Sequence, residues 1–167
     1  MIIDLLNGYK FITIPKCGTH TILKATKTPC PKTKKEFNVS RQNDKDKYVC
    51  FVRDPVERWF SIVDTCSKYL GAKEIVYSFW MDWYERVIED NYMRHHFRPM
   101  SDFIKQPNNT KFYWLNDAEK FFQDSNLEYT HQYKGDHSVR VKTPEIEAFV
   151  KSKYAKDYEM LKQIKQQ

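Results

Sequence analysis

Two short apolar runs, each ending in a turn and a helix start, constrain the fold of this 167-residue chain more than any other feature. The first, Tyr9 to Ile14, is strand-length; it stops at Pro15-Lys16-Cys17-Gly18, and Thr19 to Lys27 then reads as a helix. Thr28 to Lys47, with Pro29, Pro31 and many lysines, reads as a loop. The second run, Tyr48 to Val52, is apolar throughout and reads as a buried strand. Strand, helix and returning strand make a βαβ unit, which requires parallel strands and a right-handed crossover. The expected class is α/β, with a mostly parallel central sheet flanked by helices.

The remaining elements follow from local signals. Asp54-Pro55-Val56-Glu57 combines an N-cap carboxylate, a proline at the first helical position and a glutamate at the third, and predicts a helix running to Tyr69. Lys73 to Asn91 carries Ile75, Phe79, Trp83 and Val87 at helical spacing, which reads as a core-facing stripe in preference to a ligand platform. Lys111 to Leu115 reads as a third strand with a helix from about Asp117, and Glu128 to Tyr133 as a short fourth strand. Thr143-Pro144-Glu145 opens a closing helix that continues through Tyr154 to Gln163. Nothing resembling a linker or repeat divides the sequence, so 1–167 is expected to be a single domain.

A formal charge of +6 favours anionic partners without choosing among nucleotides, polyanionic sugars, nucleic acids and membrane surfaces. The densest basic stretch, Lys24 to Lys35, holds five lysines and no acid, a pattern that a solvated loop explains as well as a binding patch. Cys17, Cys30, Cys50 and Cys66 show no CxxC pairing, and the first residues lack the long apolar core of a secretory signal. Free thiols and a cytoplasmic location are expected. No apolar run approaches the roughly 18 residues needed to cross a bilayer.

The first turn is where chemistry is expected. Gly18 is the single one of four glycines that falls between a strand and a helix. A turn there leaves the amides of Gly18, Thr19, His20 and Thr21 able to face an anion, with the Lys16 ammonium alongside and the Thr19 and Thr21 hydroxyls as further donors. The order of residues is not that of a Walker A loop, which places its lysine after the second glycine. Arg53 falls at the carboxyl end of the second strand, with Ser61 eight residues on, about two turns into the next helix. A guanidinium fork and a hydroxyl suit a second phosphate, and open α/β sheets bind ligands at such strand ends. Arg58, in mid-helix, reads as structural.

Two anion sites at adjacent strand ends suit a nucleotide with phosphates on both sides of its ribose. Here "PKCGTHT" resembles the 5′-phosphosulfate loop of the sulfotransferases, and "FVRDPVERWFS" resembles their 3′-phosphate segment, including the Arg-to-Ser spacing. Downstream, "HFRPM" (His96 to Met100) is similar to a His-aromatic-x-Pro-Gln stretch of carbohydrate-type members, and "YAKDYEML" (Tyr154 to Leu161) to their Tyr-x-x-Asp-Tyr ending. The resemblance implies a P-loop-NTPase-like sulfotransferase fold and the donor 3′-phosphoadenosine 5′-phosphosulfate (PAPS), with no metal. It implies that Lys16, Cys17, Gly18, Thr19, His20 and Thr21 hold the 5′-phosphosulfate, and that Arg53 and Ser61 hold the 3′-phosphate. Lys16 would neutralise the leaving group, and the acceptor would be a hydroxyl, on a carbohydrate by the type of member resembled. Tyr133-Lys134-Gly135 is a weaker match to an Arg-Lys-Gly donor element that lacks its arginine. His20 stands where the family has a small residue.

Family members use histidine or glutamate to take the acceptor proton. His20 and His96 rank together as candidates here, His95 behind them, with His131 and His137 also present. Glu57 is assigned to the helix cap. No HExxH or paired-cysteine spacing suggests a metal site. Two other classes fit the same charge: another nucleotide-dependent transferase such as a small kinase, and a noncatalytic basic module binding polyanions or nucleic acid. The last ranks lowest for want of interleaved aromatic and basic residues, so nucleic acid is not an expected partner.

Overall fold

The computed structural model describes residues 1–29, 42–71, 76–89, 91–130 and 141–164. In chain order its strands are β1 (Ile2–Asp4), β2 (Tyr9–Ile12), β3 (Lys47–Val52) and β4 (Thr110–Trp114). Its helices are α1 (Thr19–Ala25), α2 (Pro55–Tyr69), α3 (Tyr77–Val87), α4 (Asn91–Phe97), α5 (Ala118–Asp124), α6 (Pro144–Lys153) and α7 (Ala155–Ile164). The chain groups into two compact units, one of Met1–Arg53 with Met100–Lys134, the other of Asp54–Pro99 with Gly135–Gln167. Among the described residues no helix is long and apolar enough to cross a membrane.

The first unit holds the sheet, in the order β1-β2-β3-β4. β2, β3 and β4 run parallel, as the βαβ pattern requires, and β1 adds an antiparallel edge that the sequence did not announce. All residues of β3 after Lys47 are buried, in keeping with a strand covered on both faces. Phe11, Phe51 and Phe121 lock its centre. Their rings meet edge-on or tilted, with centroids 5.0 Å apart for Phe11–Phe51, 5.1 Å for Phe51–Phe121 and 5.6 Å for Phe11–Phe121.

The second unit is helical. Asp54 caps α2: one carboxylate oxygen accepts the Val56 and Glu57 amides at 2.9 and 3.0 Å, and Pro55 follows at the first helical position. Glu57 pairs with Lys142 at 2.8 Å. Val56, Trp59, Phe60, Val63 and Cys66 of α2 pack with Trp80, Val87, Met93, Phe97, Ile146, Val150 and Tyr154 in one buried cluster.

Three expectations need correction. On α3 the expected Val87 is buried and Trp83 packs partly buried against the core, but Phe79 is 45% exposed and Trp80 is buried in its stead, while Ile75 lies outside the described residues. The closing helix is two helices, because Tyr154 leaves helical geometry at φ −114°, ψ 30° and its carbonyl accepts the Asp157 and Tyr158 amides. Glu128 to Thr130 form no strand, and the rest of that expected element lies outside the described residues.

Candidate functional site

Lys16 to Thr21 connect β2 to α1 through two consecutive reversals of backbone hand. Lys16 has φ 65° and Gly18 φ 74°, both left-handed. For glycine this conformation is free of strain; for lysine it costs about 1–2 kcal/mol. The Ile14 carbonyl closes the turn by accepting the Cys17 amide at 3.1 Å and the Thr19 hydroxyl at 3.0 Å. Gly18 is the N-cap of α1, whose first backbone bond runs from the Ile22 amide to the Gly18 carbonyl at 3.2 Å, and no side chain caps this end. The amides of the first helical turn, Thr19 to Thr21, lie ahead of that first bond.

Why Gly18 must be glycine is answered differently from the sequence expectation. A Cβ there would stand 2.8 Å from Leu115 Cδ1 and 2.9 Å from Phe51 Cδ2. The absent side chain therefore makes room for the core as well as for a positive φ. Thr19 also differs, because its hydroxyl proton is directed at the Ile14 carbonyl, leaving its amide as the group able to donate outward. Thr21 is buried, Lys16 half-buried, and Cys17 buried with its thiol 3.6 Å from Met100 Sδ.

Arg53 directly follows β3 and is half-buried. β2 and β3 pair in parallel with Tyr9 opposite Lys47 and Phe11 opposite Val49. Continuing that register past the strand ends brings Pro15, the residue before Lys16, level with Arg53. The β3–β4 register, Val52 opposite Trp114, brings Leu115 to the same level. The Lys16–Thr21 turn, Arg53 and Leu115 thus all follow the carboxyl ends of neighbouring parallel strands.

His20, on the first turn of α1, is exposed at its surface. Partial desolvation, and then the neighbouring Lys16 ammonium, hold its pKa below the ordinary imidazole value, so the ring is neutral at pH 7. His95 is held lower still, at about 4, by burial first and then by His96, Arg98 and Arg58. The His95 and His96 rings stand 6.1 Å apart and nearly perpendicular on α4.

Ser61 and His96 belong to the helical unit and are both half-buried. Arg58, read as structural from the sequence, is 1% exposed; its Nη2 donates to the carbonyls of His96 and Arg98 at 2.9 and 2.8 Å. His131, Tyr133, Lys134, Gly135, His137 and Cys30 lie outside the described residues. Cys17, Cys50 and Cys66 are free thiols, and burial pushes the Cys50 thiol well up. Among the described residues no cluster of three or more histidine, cysteine or acidic side chains could hold a metal. A shallow cleft of about 820 Å³ runs along β4 and α5, lined by Lys111, Tyr113, Trp114, Lys120 and Asp124, and includes none of the expected donor residues.

Comparison with protein-family models, with curated proteins and with solved structures found no match to this chain.

Proposed function

We propose that the chain is a PAPS-dependent sulfotransferase acting on an acceptor hydroxyl, on a carbohydrate by its resemblance to carbohydrate-type members, and that its fold is the P-loop-like one of that family. The observation that supports this is the left-handed Lys16–Gly18 turn that follows β2, with Arg53 directly following the parallel neighbour β3. A lysine held left-handed ahead of the first turn of a helix combines a cation with backbone donors, and the Arg53 guanidinium after the neighbouring strand is assigned the second anion site. Ser61 is assigned to the 3′-phosphate by the Arg-to-Ser spacing.

In the reaction, the acceptor oxygen attacks sulfur in line with the bridging oxygen of the phosphosulfate. The O–S bond to the acceptor forms as the S–O bond to the phosphate breaks, leaving 3′,5′-bisphosphoadenosine. Lys16 offsets the charge gathering on the departing phosphate, and the acceptor proton passes to His20 or His96. His20 meets the requirement that a base be neutral at working pH. Positioning and charge neutralisation supply most of the acceleration in a transfer of this type, and no metal is assigned a role.

The test is thermal unfolding of the full chain with 3′,5′-bisphosphoadenosine or with ATP and magnesium. At a hundredfold excess over its dissociation constant a native-state ligand adds about 2.7 kcal/mol. For a chain of this length that raises the midpoint by roughly 5–11 °C. Stabilisation by ATP with magnesium, and none by the bisphosphate, would replace the donor with an ordinary nucleoside triphosphate. Lys16→Ala is expected to abolish sulfate transfer while the chain stays folded.

A further inference from the structure

Arg58 is among the most thoroughly buried side chains of the helical unit, and its partners are unusual for a buried charge. The guanidinium reaches from the second turn of α2 to two backbone carbonyls on either side of Phe97, accepting at His96 and at Arg98. Its carbon also lies 5.8 Å from the centre of the Tyr154 ring, where α6 gives way to α7. Phe97, between the two carbonyls, is 1% exposed. The segment that leaves α4 is thereby held twice, by the buried Phe97 ring and by a single guanidinium nitrogen, Nη2, that donates to the carbonyls before and after it. The rigid guanidinium plane aims that nitrogen, whereas a lysine ammonium, one atom shorter in reach and free to rotate, would not be held at both carbonyls.

The same segment carries both imidazoles of the His95–His96 pair, with ring centroids 6.1 Å apart. We propose that Arg58 is a positioning residue: by fixing the backbone at His96 and Arg98 it sets the placement of the His95–His96 pair that serves the acceptor. The inference rests on the sulfotransferase reading in one respect, the role given to His96. Arg58 itself touches no reacting atom; it acts through the backbone. Its charge also contributes, with burial, His96 and Arg98, to the low pKa of His95, which gives the clamp a spectroscopic signature.

The experiment follows the imidazole proton resonances of the full chain by NMR as a function of pH, in the parent, Arg58→Gln and Arg58→Lys. In the parent the His95 midpoint is expected at about 4, held down first by burial. With glutamine, loss of the clamp exposes the ring and removes one positive neighbour. Both changes raise the midpoint, by an expected tenfold or more in acid constant, about one pH unit. With lysine the charge stays and the reach and rigid aim of Nη2 are lost, so a rise smaller than that of glutamine but clearly above the parent is expected. A lysine variant that titrates like the parent would reduce Arg58 to a point charge and overturn the proposal. A folded glutamine variant that titrates like the parent would do the same. Should the glutamine variant fail to fold, the lysine variant decides alone. Failure of the donor assignment would show separately, as no stabilisation of the parent by 3′,5′-bisphosphoadenosine, a result that leaves these titrations untouched.

Discussion

Replacing Gly18 by alanine tests whether the turn after β2 is built as described. Two effects add. The left-handed conformation at φ 74° costs a Cβ-bearing residue about 1–2 kcal/mol. The new methyl would also stand 2.8 Å from Leu115 Cδ1 and 2.9 Å from Phe51 Cδ2, closer than carbon atoms tolerate. Leu115 is half-buried and has room to turn aside. Phe51 does not, because its ring is fixed edge-on by Phe11 at 5.0 Å and Phe121 at 5.1 Å. Overpacking of that kind costs about 1–3 kcal/mol. The stiffer unfolded chain of the alanine variant returns about 0.4–1 kcal/mol. The expected net loss is about 1–4.6 kcal/mol, or roughly 2–18 °C in midpoint for a chain of this length. Urea denaturation followed by tryptophan fluorescence measures it directly. Leu115→Ala added to Gly18→Ala relieves one of the two contacts, so the double variant is expected to fall short of additivity by about 0.5–2 kcal/mol. A Gly18→Ala loss below about 0.5 kcal/mol, the size of an ordinary surface substitution, would refute the packing and the backbone assignment together.

Lys16→Gly relieves the strain that Lys16→Ala retains, so the glycine variant is expected to equal or exceed the alanine variant in stability, by up to about 1.5 kcal/mol, while both lose sulfate transfer; a glycine variant clearly less stable than the alanine variant in urea would contradict the left-handed Lys16. Asp54→Ala removes the acceptor of two amides at the start of α2 and is expected to cost about 0.5–2 kcal/mol, with Asp54→Asn much milder; equal losses in a denaturation series would show that the cap contributes little. For His95 the pKa is depressed from 6.5 to about 4 on folding, so above pH 6.5 neither state is charged and stability is complete. Between 6.5 and 4 the unfolded chain takes up a proton that the folded chain refuses, and stability falls, levelling off below 4. His95→Gln is expected to flatten that part of a stability-against-pH curve, and an unchanged slope would remove the burial of the ring as its cause.

How far the sequence led depends on whether a feature is local. The βαβ unit was legible because its two strands are strand-length apolar runs bounded by turn residues, and the cap of α2 because Asp54, Pro55 and Glu57 sit within one turn. β1 was not, since three residues ending in Asp4 acquire strand character only by pairing with Lys10 to Ile12. On α3 the aromatics Phe79, Trp80, Trp83 and Tyr84 surround the helix, so apolar spacing alone fits two stripes about 100° apart, and packing selects the one through Trp80. The break at Tyr154 carries neither glycine nor proline; it accompanies burial of the tyrosine ring beside Arg58, a residue 96 positions away in sequence. The packing reason for Gly18 depends on Leu115, equally remote. Of the expected site, the turn and Arg53 follow neighbouring parallel strands, whereas Ser61 and His96 fall in the helical unit, where the roles proposed for them rest on sequence pattern alone.

Lys16 offers the sharpest physical reason to expect chemistry at this turn. A connection from β2 to α1 needs left-handed backbone at two positions, and the chain places glycine at one of them and lysine at the other. For folding alone, glycine or asparagine would adopt this backbone with less strain. Strain of about 1–2 kcal/mol persists in a fold only where the surroundings hold it, here through the Ile14 carbonyl that accepts both the Cys17 amide and the Thr19 hydroxyl. What the lysine adds in return is an ammonium on a long stem, rooted two residues before the N-cap glycine of α1, on a turn that follows β2 as Arg53 follows the parallel neighbour β3. In the proposed reading these groups would face the two ends of a doubly phosphorylated adenosine. Strain located where the cation stands, and not elsewhere in the turn, ties the backbone geometry to the proposed transfer.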